Sequence, residues 1–204
     1  MSLQEKIKSA LDQSTTYLQY RQEVQGLFDK GNTTGPNQSE NMVYYTGLNL
    51  QRMQKWEKHY EPSPESKEVV QSLNDEIWLV LTEGWCGDAA HSVPVMYKLS
   101  ELNPKVELRM VLRDENLPLM DEYLTNGGRS IPKLLRLEKH SLRELGTWGP
   151  RPEPAQNIFY EKRAAGIAKE EYTRDIQIWY ARDRGKTIEK ELLEMVRLNH
   201  TAKV

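Results

Sequence analysis

The run IWLVLT, residues 77–82, constrains this chain more than any other stretch. A continuous apolar segment of that length reads as a strand buried on both faces, and such a strand needs a sheet with a layer of structure on each side. GWCGDAAHSVP, residues 84–94, follows at once and opens a helix expected from about Asp88 to Leu102. VELRMVLR, residues 106–113, then alternates Val106, Leu108, Met110 and Leu112 toward one side, the period of a second strand. Strand, helix, strand is a crossover unit, so the two strands are expected to be parallel and the chain to be α/β.

The flanking segments fit around that unit. A short helix over about 117–125 stops at NGG. Beyond RSIP, the segments KLLRLE and LRELGTW predict an antiparallel hairpin. Upstream, residues 3–29 carry apolar residues at helical spacing and predict one or two helices, which DKGNTTGPNQSE interrupts. Ser39 or Asn41 then caps a helix to about His59, with Met42, Tyr45, Leu48, Met53 and Trp56 as its apolar positions. Ser63 caps a shorter helix with Pro64 in its first turn and Val69, Val70 and Leu73 facing inward. Residues 152–199 read as mostly helical. The division expected is an N-terminal helical extension at 1–74, a core at 75–150 and a C-terminal helical segment at 151–204, all in one compact unit.

A formal net charge of -2 offers no general positive field, so nucleic acid is not an expected partner. No apolar run approaches the length of a membrane span, and the start, MSLQEKIKSALDQ, lacks the apolar stretch of a secretory leader, so the expected location is cytoplasmic. The chain has one cysteine, Cys86, and hence no internal disulfide. His59, His91, His140 and His200 are scattered, so neither a metal site nor a cofactor is implied.

The residues around Cys86 carry a resemblance. Trp85-Cys86-Gly87-Asp88 is similar to the first positions of the Trp-Cys-Gly-Pro-Cys motif of the thioredoxin family. Pro94 lies eight residues past Cys86 (94 − 86), where that family kinks its active-site helix. Arg129-Ser130-Ile131-Pro132 resembles the run that holds the family's cis proline, 46 residues on (132 − 86). The resemblance implies a thioredoxin-like fold, a central mixed β-sheet flanked by helices, with extra N- and C-terminal helices. It also implies that Pro132 is cis, that Ile131 lies beside Cys86 at an edge where extended substrates pair, and that Trp85 flanks the thiol. Two departures bear on chemistry: Ala89 stands where the family has its second cysteine, and Val80 where it has a buried aspartate.

Cys86 is therefore expected to act as a single thiol. A helix N-terminus favours its thiolate. The carboxylate of Asp88 opposes it, although Asp88 reads more simply as a helix-capping residue. Glu83 reads as a solvated carboxylate and His91 as a residue on the outer surface of the helix. With no resolving cysteine, a mixed disulfide on Cys86 needs an external thiol, so the partners expected are a low-molecular-weight thiol or a protein disulfide, with a homodimer possible through the flanking helices. The expected function is a monothiol thiol-disulfide oxidoreductase or redox-sensing protein. The alternative is a non-catalytic binding module using the surface around Trp85 and Pro132.

Overall fold

The computed structural model describes residues 1–198; Asn199 and His200, to which the sequence reading extended, lie outside the described residues. Its elements in chain order are α1 (Leu3–Asp12), β1 (Thr15–Thr16), α2 (Tyr17–Phe28), α3 (Glu40–His59), α4 (Pro64–Gln71), β2 (Glu76–Thr82), α5 (Gly87–Ser100), β3 (Val106–Leu112), α6 (Leu117–Met120), β4 (Lys133–Glu138), β5 (Glu144–Trp148), α7 (Glu153–Ala164), α8 (Lys169–Asp183) and α9 (Lys186–Leu198).

The five strands form one mixed sheet in the order β1-β3-β2-β4-β5. β2 and β3 are parallel, with Leu79 opposite Arg109. β4 runs antiparallel to β2, pairing Leu135 with Leu79, and β5 runs antiparallel to β4. This is the crossover followed by a hairpin that the apolar patterning predicts, in an α/β sheet flanked by helices. All seven residues of β2 are buried, as a strand covered on both faces must be. Val80 is fully buried, so an apolar side chain fills the position where the family resemblance would put an aspartate.

β1 is the element the sequence did not announce. It is two residues long, pairs Thr15 with Met110 at the edge of the sheet, and breaks the predicted N-terminal helices into α1 and α2. Thr16 then starts α2: its hydroxyl accepts from the Gln19 N–H, and the Gln19 side chain returns to the Thr16 N–H. Ser63 caps α4 and Pro64 sits in its first turn, as predicted. The helix expected over 117–125 is only the four residues of α6.

On α3 the expected apolar stripe is corrected. Met53 is buried as expected, but Tyr45 is exposed and Leu48 only partly buried, and Thr46, Asn49 and Leu50 face inward beside Met53. The inner polar residues are used in hydrogen bonds: the Thr46 hydroxyl pairs with the Thr33 hydroxyl and Asn49 holds the Gly84 carbonyl in the loop before Cys86.

One buried ion pair ties the C-terminal helix to the sheet. The Arg136 guanidinium on β4 donates from Nε to Glu76 Oε2 at 2.6 Å and from Nη2 to Glu76 Oε1 at 2.5 Å, across the β2–β4 pairing. Its Nη1 reaches the carbonyls of Met195 and Val196 on α9 at 3.5 and 3.4 Å.

Candidate functional site

The end of β2 delivers the chain to the first turn of α5, and the polypeptide before that turn is held from outside the central sheet. Asn49 on α3 donates from Nδ2 to the Gly84 carbonyl at 3.0 Å. The Gly84 N–H donates to Thr34 Oγ1 at 2.9 Å, and the Thr34 hydroxyl in turn donates to Glu83. Glu83 also accepts from the Asp114 N–H at 2.9 Å. This corrects the reading of Glu83 as solvated: it is 1% exposed, and burial pushes its carboxyl pKa up. The N-terminal segment thus builds part of the site.

Cys86 is the N-cap of α5, and its sulfur accepts from the Ala89 N–H at 3.5 Å. Its S–H donates to the Ile131 carbonyl at 3.3 Å. The Ile131–Pro132 peptide bond is cis, and the Cys86 contact brings this segment against the thiol from 45 residues further along the chain. Trp85 is half-buried beside them, with the Arg113 guanidinium 4.9 Å above its ring centre. Gly149 seals the other side of Pro132. It has φ +112, and a Cβ there would lie 2.2 Å from the Pro132 carbonyl oxygen, so only glycine fits.

The electrostatics differ from the simple expectation of a thiol at a helix N-terminus. Cys86 is 8% exposed, and burial, followed by the charge of Asp88, pushes its pKa up to about 12. The N–H groups of Ala89 and Asp88 and the charge of Arg151 pull the other way without winning. At rest the thiol holds its proton, because the loss of water around the sulfur outweighs the helix dipole.

Asp88 is corrected too. The N-cap contact belongs to Cys86, while the Asp88 carboxylate is buried in a pair with Arg151, whose Nε lies 2.7 Å from Oδ2. Asp88 Oδ1 accepts from the Tyr180 hydroxyl at 3.1 Å. Burial raises the Asp88 pKa, against the lowering influence of Arg151.

His91 is not on an outer surface: it is 7% exposed, enclosed by α3 and α8. Its Nδ1 accepts from Trp56 Nε1–H at 2.9 Å, which puts its proton on Nε2, 2.7 Å from Gln177 Oε1. Burial pushes its pKa down to about 4. The folded chain keeps His91 neutral while the unfolded chain protonates it near 6.5, so the unfolded state binds more protons between those values. The His91 contribution to stability is therefore intact above pH 6.5 and falls by about 3 kcal/mol as the pH drops toward 4. Urea unfolding at a series of pH values checks this, and His91→Gln should flatten that part of the profile.

Asn49, Thr34, Arg151 and Tyr180 were not singled out from the sequence. The one available signal was the pair of polar residues, Thr46 and Asn49, that interrupts the apolar face of α3. Among the described residues, no three of His, Cys, Asp and Glu are grouped to hold a metal ion, and no helix is long and apolar enough to cross a membrane.

Comparisons with known proteins follow the same lines. No curated protein matches the chain. Two solved structures resemble it in fold. One is an HIV epitope-scaffold, 16% identical with a TM-score of 0.57, covering 90% of this chain and 98% of that one. The other is a protein of unknown function from Pseudomonas aeruginosa, 20% identical with a TM-score of 0.55 and the same two coverages, 90% and 98%. A family model described as thioredoxin matches residues 35–170, more than half of the chain and including Cys86 and Pro132. With the mixed sheet, the cysteine capping α5 and the cis proline against it, this chain belongs to the thioredoxin family.

Proposed function

We propose that the protein is a monothiol thiol-disulfide exchange protein of the redox-sensing kind, in which Cys86 forms a slow, reversible mixed disulfide that an external thiol resolves. The observation that carries this reading is the 3.3 Å approach of the Cys86 sulfur to the Ile131 carbonyl, next to cis Pro132. In that contact the one thiol of the sequence meets main chain at the start of α5, and an incoming disulfide would take the place of the S–H donor against the same carbonyl.

Cys86 gives its proton to solvent, and the thiolate attacks one sulfur of a disulfide R–S–S–R. The Cys86–S–S–R bond forms, the R–S–S–R bond breaks, and the leaving thiolate takes up a proton. Cys86 is oxidised as the departing half is reduced. An external thiol then attacks the mixed disulfide, restoring the Cys86 thiol and leaving as a new disulfide. Ala89 in place of a second cysteine makes the external thiol obligatory. The raised pKa makes the first step slow at neutral pH, which suits a sensor better than a high-turnover reductase.

Incubating the protein with bis(2-hydroxyethyl) disulfide at pH 8 and weighing the intact chain tests the reading. One adduct per chain is expected, absent in Cys86→Ser and removed by added thiol. The burial of Cys86 favours a second reading, a binding module built on Trp85 and Pro132. Under that reading no adduct forms in the folded protein.

A further inference from the structure

A second feature lies behind the first turn of α5, away from the thiol. Between α3, α5, α8 and α9 opens a cavity of about 820 Å³, within the range of small-molecule sites. Its floor is aromatic. The rings of His91 and Tyr180 stack with centres 4.2 Å apart, and Trp56 meets His91 and Tyr60 edge-on at 5.9 and 6.2 Å. The hydrogen bonds from Trp56 through His91 to Gln177 keep that floor neutral and fixed, and they use the Gln177 carbonyl, leaving its amide N–H groups for a ligand.

The rim is cationic, although the chain as a whole carries a net charge of -2. Arg52, Lys55, Arg184 and Lys186 line the opening, and none of them forms an ion pair among the described residues. Two carboxylates, Glu61 and Glu189, also line it. Glu189 is committed elsewhere: it accepts from the Tyr60 hydroxyl at 2.9 Å, the Ser63 N–H at 2.8 Å and the Ser66 hydroxyl. Even with both acids counted, cations outnumber them two to one.

Arg184 adds an independent sign. It is the C-cap of α8 with φ 58 and ψ 33, a left-handed conformation that glycine or asparagine adopts at least cost. Gly185 follows at φ +80, pressed so close to the floor that a Cβ would lie 3.0 Å from Trp56 and 3.2 Å from Tyr60. The turn thus places a strained arginine at the mouth of the cavity when an unstrained glycine would serve the fold better. Residues kept at such a cost are typical of ligand sites.

We propose that this cavity binds a purine nucleoside phosphate, with the ring against Trp56 and Tyr60 and the phosphates held by Arg52, Lys55, Arg184 and Lys186. The apolar floor calls for a flat uncharged body, and the four cations call for two or more negative charges on the same molecule, which guanidinium and ammonium groups bind as charge-assisted hydrogen bonds. The site is separate from the exchange chemistry of Cys86 and stands without it.

Calorimetric titration of the full chain with ATP and with GTP, beside tripolyphosphate and adenosine, tests the proposal. Saturable binding of at least one of the two nucleotides at one per chain is expected, with tripolyphosphate and adenosine each weaker by about tenfold or more. Arg184→Gly should weaken nucleotide binding by about tenfold while the melting temperature stays the same or rises, which separates a lost contact from a lost fold. Lys186→Ala should weaken it as well. Failure of both nucleotides to saturate by about 5 mM, equal binding of tripolyphosphate, or unchanged binding in Arg184→Gly would overturn the proposal.

Discussion

Arg136→Leu is expected to destabilise the protein by about 3–5 kcal/mol, the largest effect of any single change considered, read as a drop in the urea midpoint at unchanged slope. Arg136 and Glu76 have side chains only 2% and 5% exposed, so removing the guanidinium strands a carboxylate inside the sheet. Trp78 Nε1–H still donates to Glu76, at 3.2 Å, but one such bond does not replace two charge-assisted ones. The same substitution removes the Arg136 Nη1 contact with the Val196 carbonyl, so α9 should loosen first and lose amide protection before the strands do. Pairing the change with Glu76→Met should recover most of the loss, because an apolar pair costs no desolvation. If the double variant is as unstable as the single one, the stranded charge is not the cause.

Alkylation of Cys86 by iodoacetamide is expected to be slow in the native protein. With the pKa pushed up to about 12, only about one thiol in ten thousand is ionised at pH 8, against roughly one in four for a free thiol. A more basic thiolate is the better nucleophile, which offsets part of the deficit and leaves a rate about a hundredfold below that of a free thiol. Two variants fix the sign of the cause. Asp88→Asn removes the charge that opposes ionisation and leaves Arg151 unopposed, so alkylation at pH 8 should quicken by about tenfold. Arg151→Gln removes the opposite influence and should slow it. A rate that Asp88→Asn leaves unchanged would mean that access alone limits the reaction.

Much of this was legible in the sequence because it rests on local patterns. The unbroken apolar run of β2, the alternation of β3, the hairpin and the Ser63-Pro64 helix start each declare themselves within a short stretch of neighbouring residues. The pairing of Cys86 with the Ile131–Pro132 segment came from resemblance rather than from spacing. What stayed hidden was set by partners far along the chain. Glu83 looks like a solvated carboxylate until Thr34, 49 residues earlier, reaches it. Asp88 looks like a cap until Tyr180, 92 residues later, closes over it. His91 is buried only because α3 and α8 come from opposite ends of the sequence to enclose it. For the same reason the helix dipole at Cys86 could be read locally, whereas the burial that overrides it could not.

The most direct test of the account is the rate at which Cys86 forms a mixed disulfide with bis(2-hydroxyethyl) disulfide as the pH is raised. A thiol that is protonated at rest yet open to exchange should give a rate climbing about tenfold per pH unit up to pH 10, with no plateau and no adduct in Cys86→Ser. A plateau near neutral pH would contradict the sheltered thiol, and the absence of any adduct at pH 10 would contradict the exchange chemistry itself.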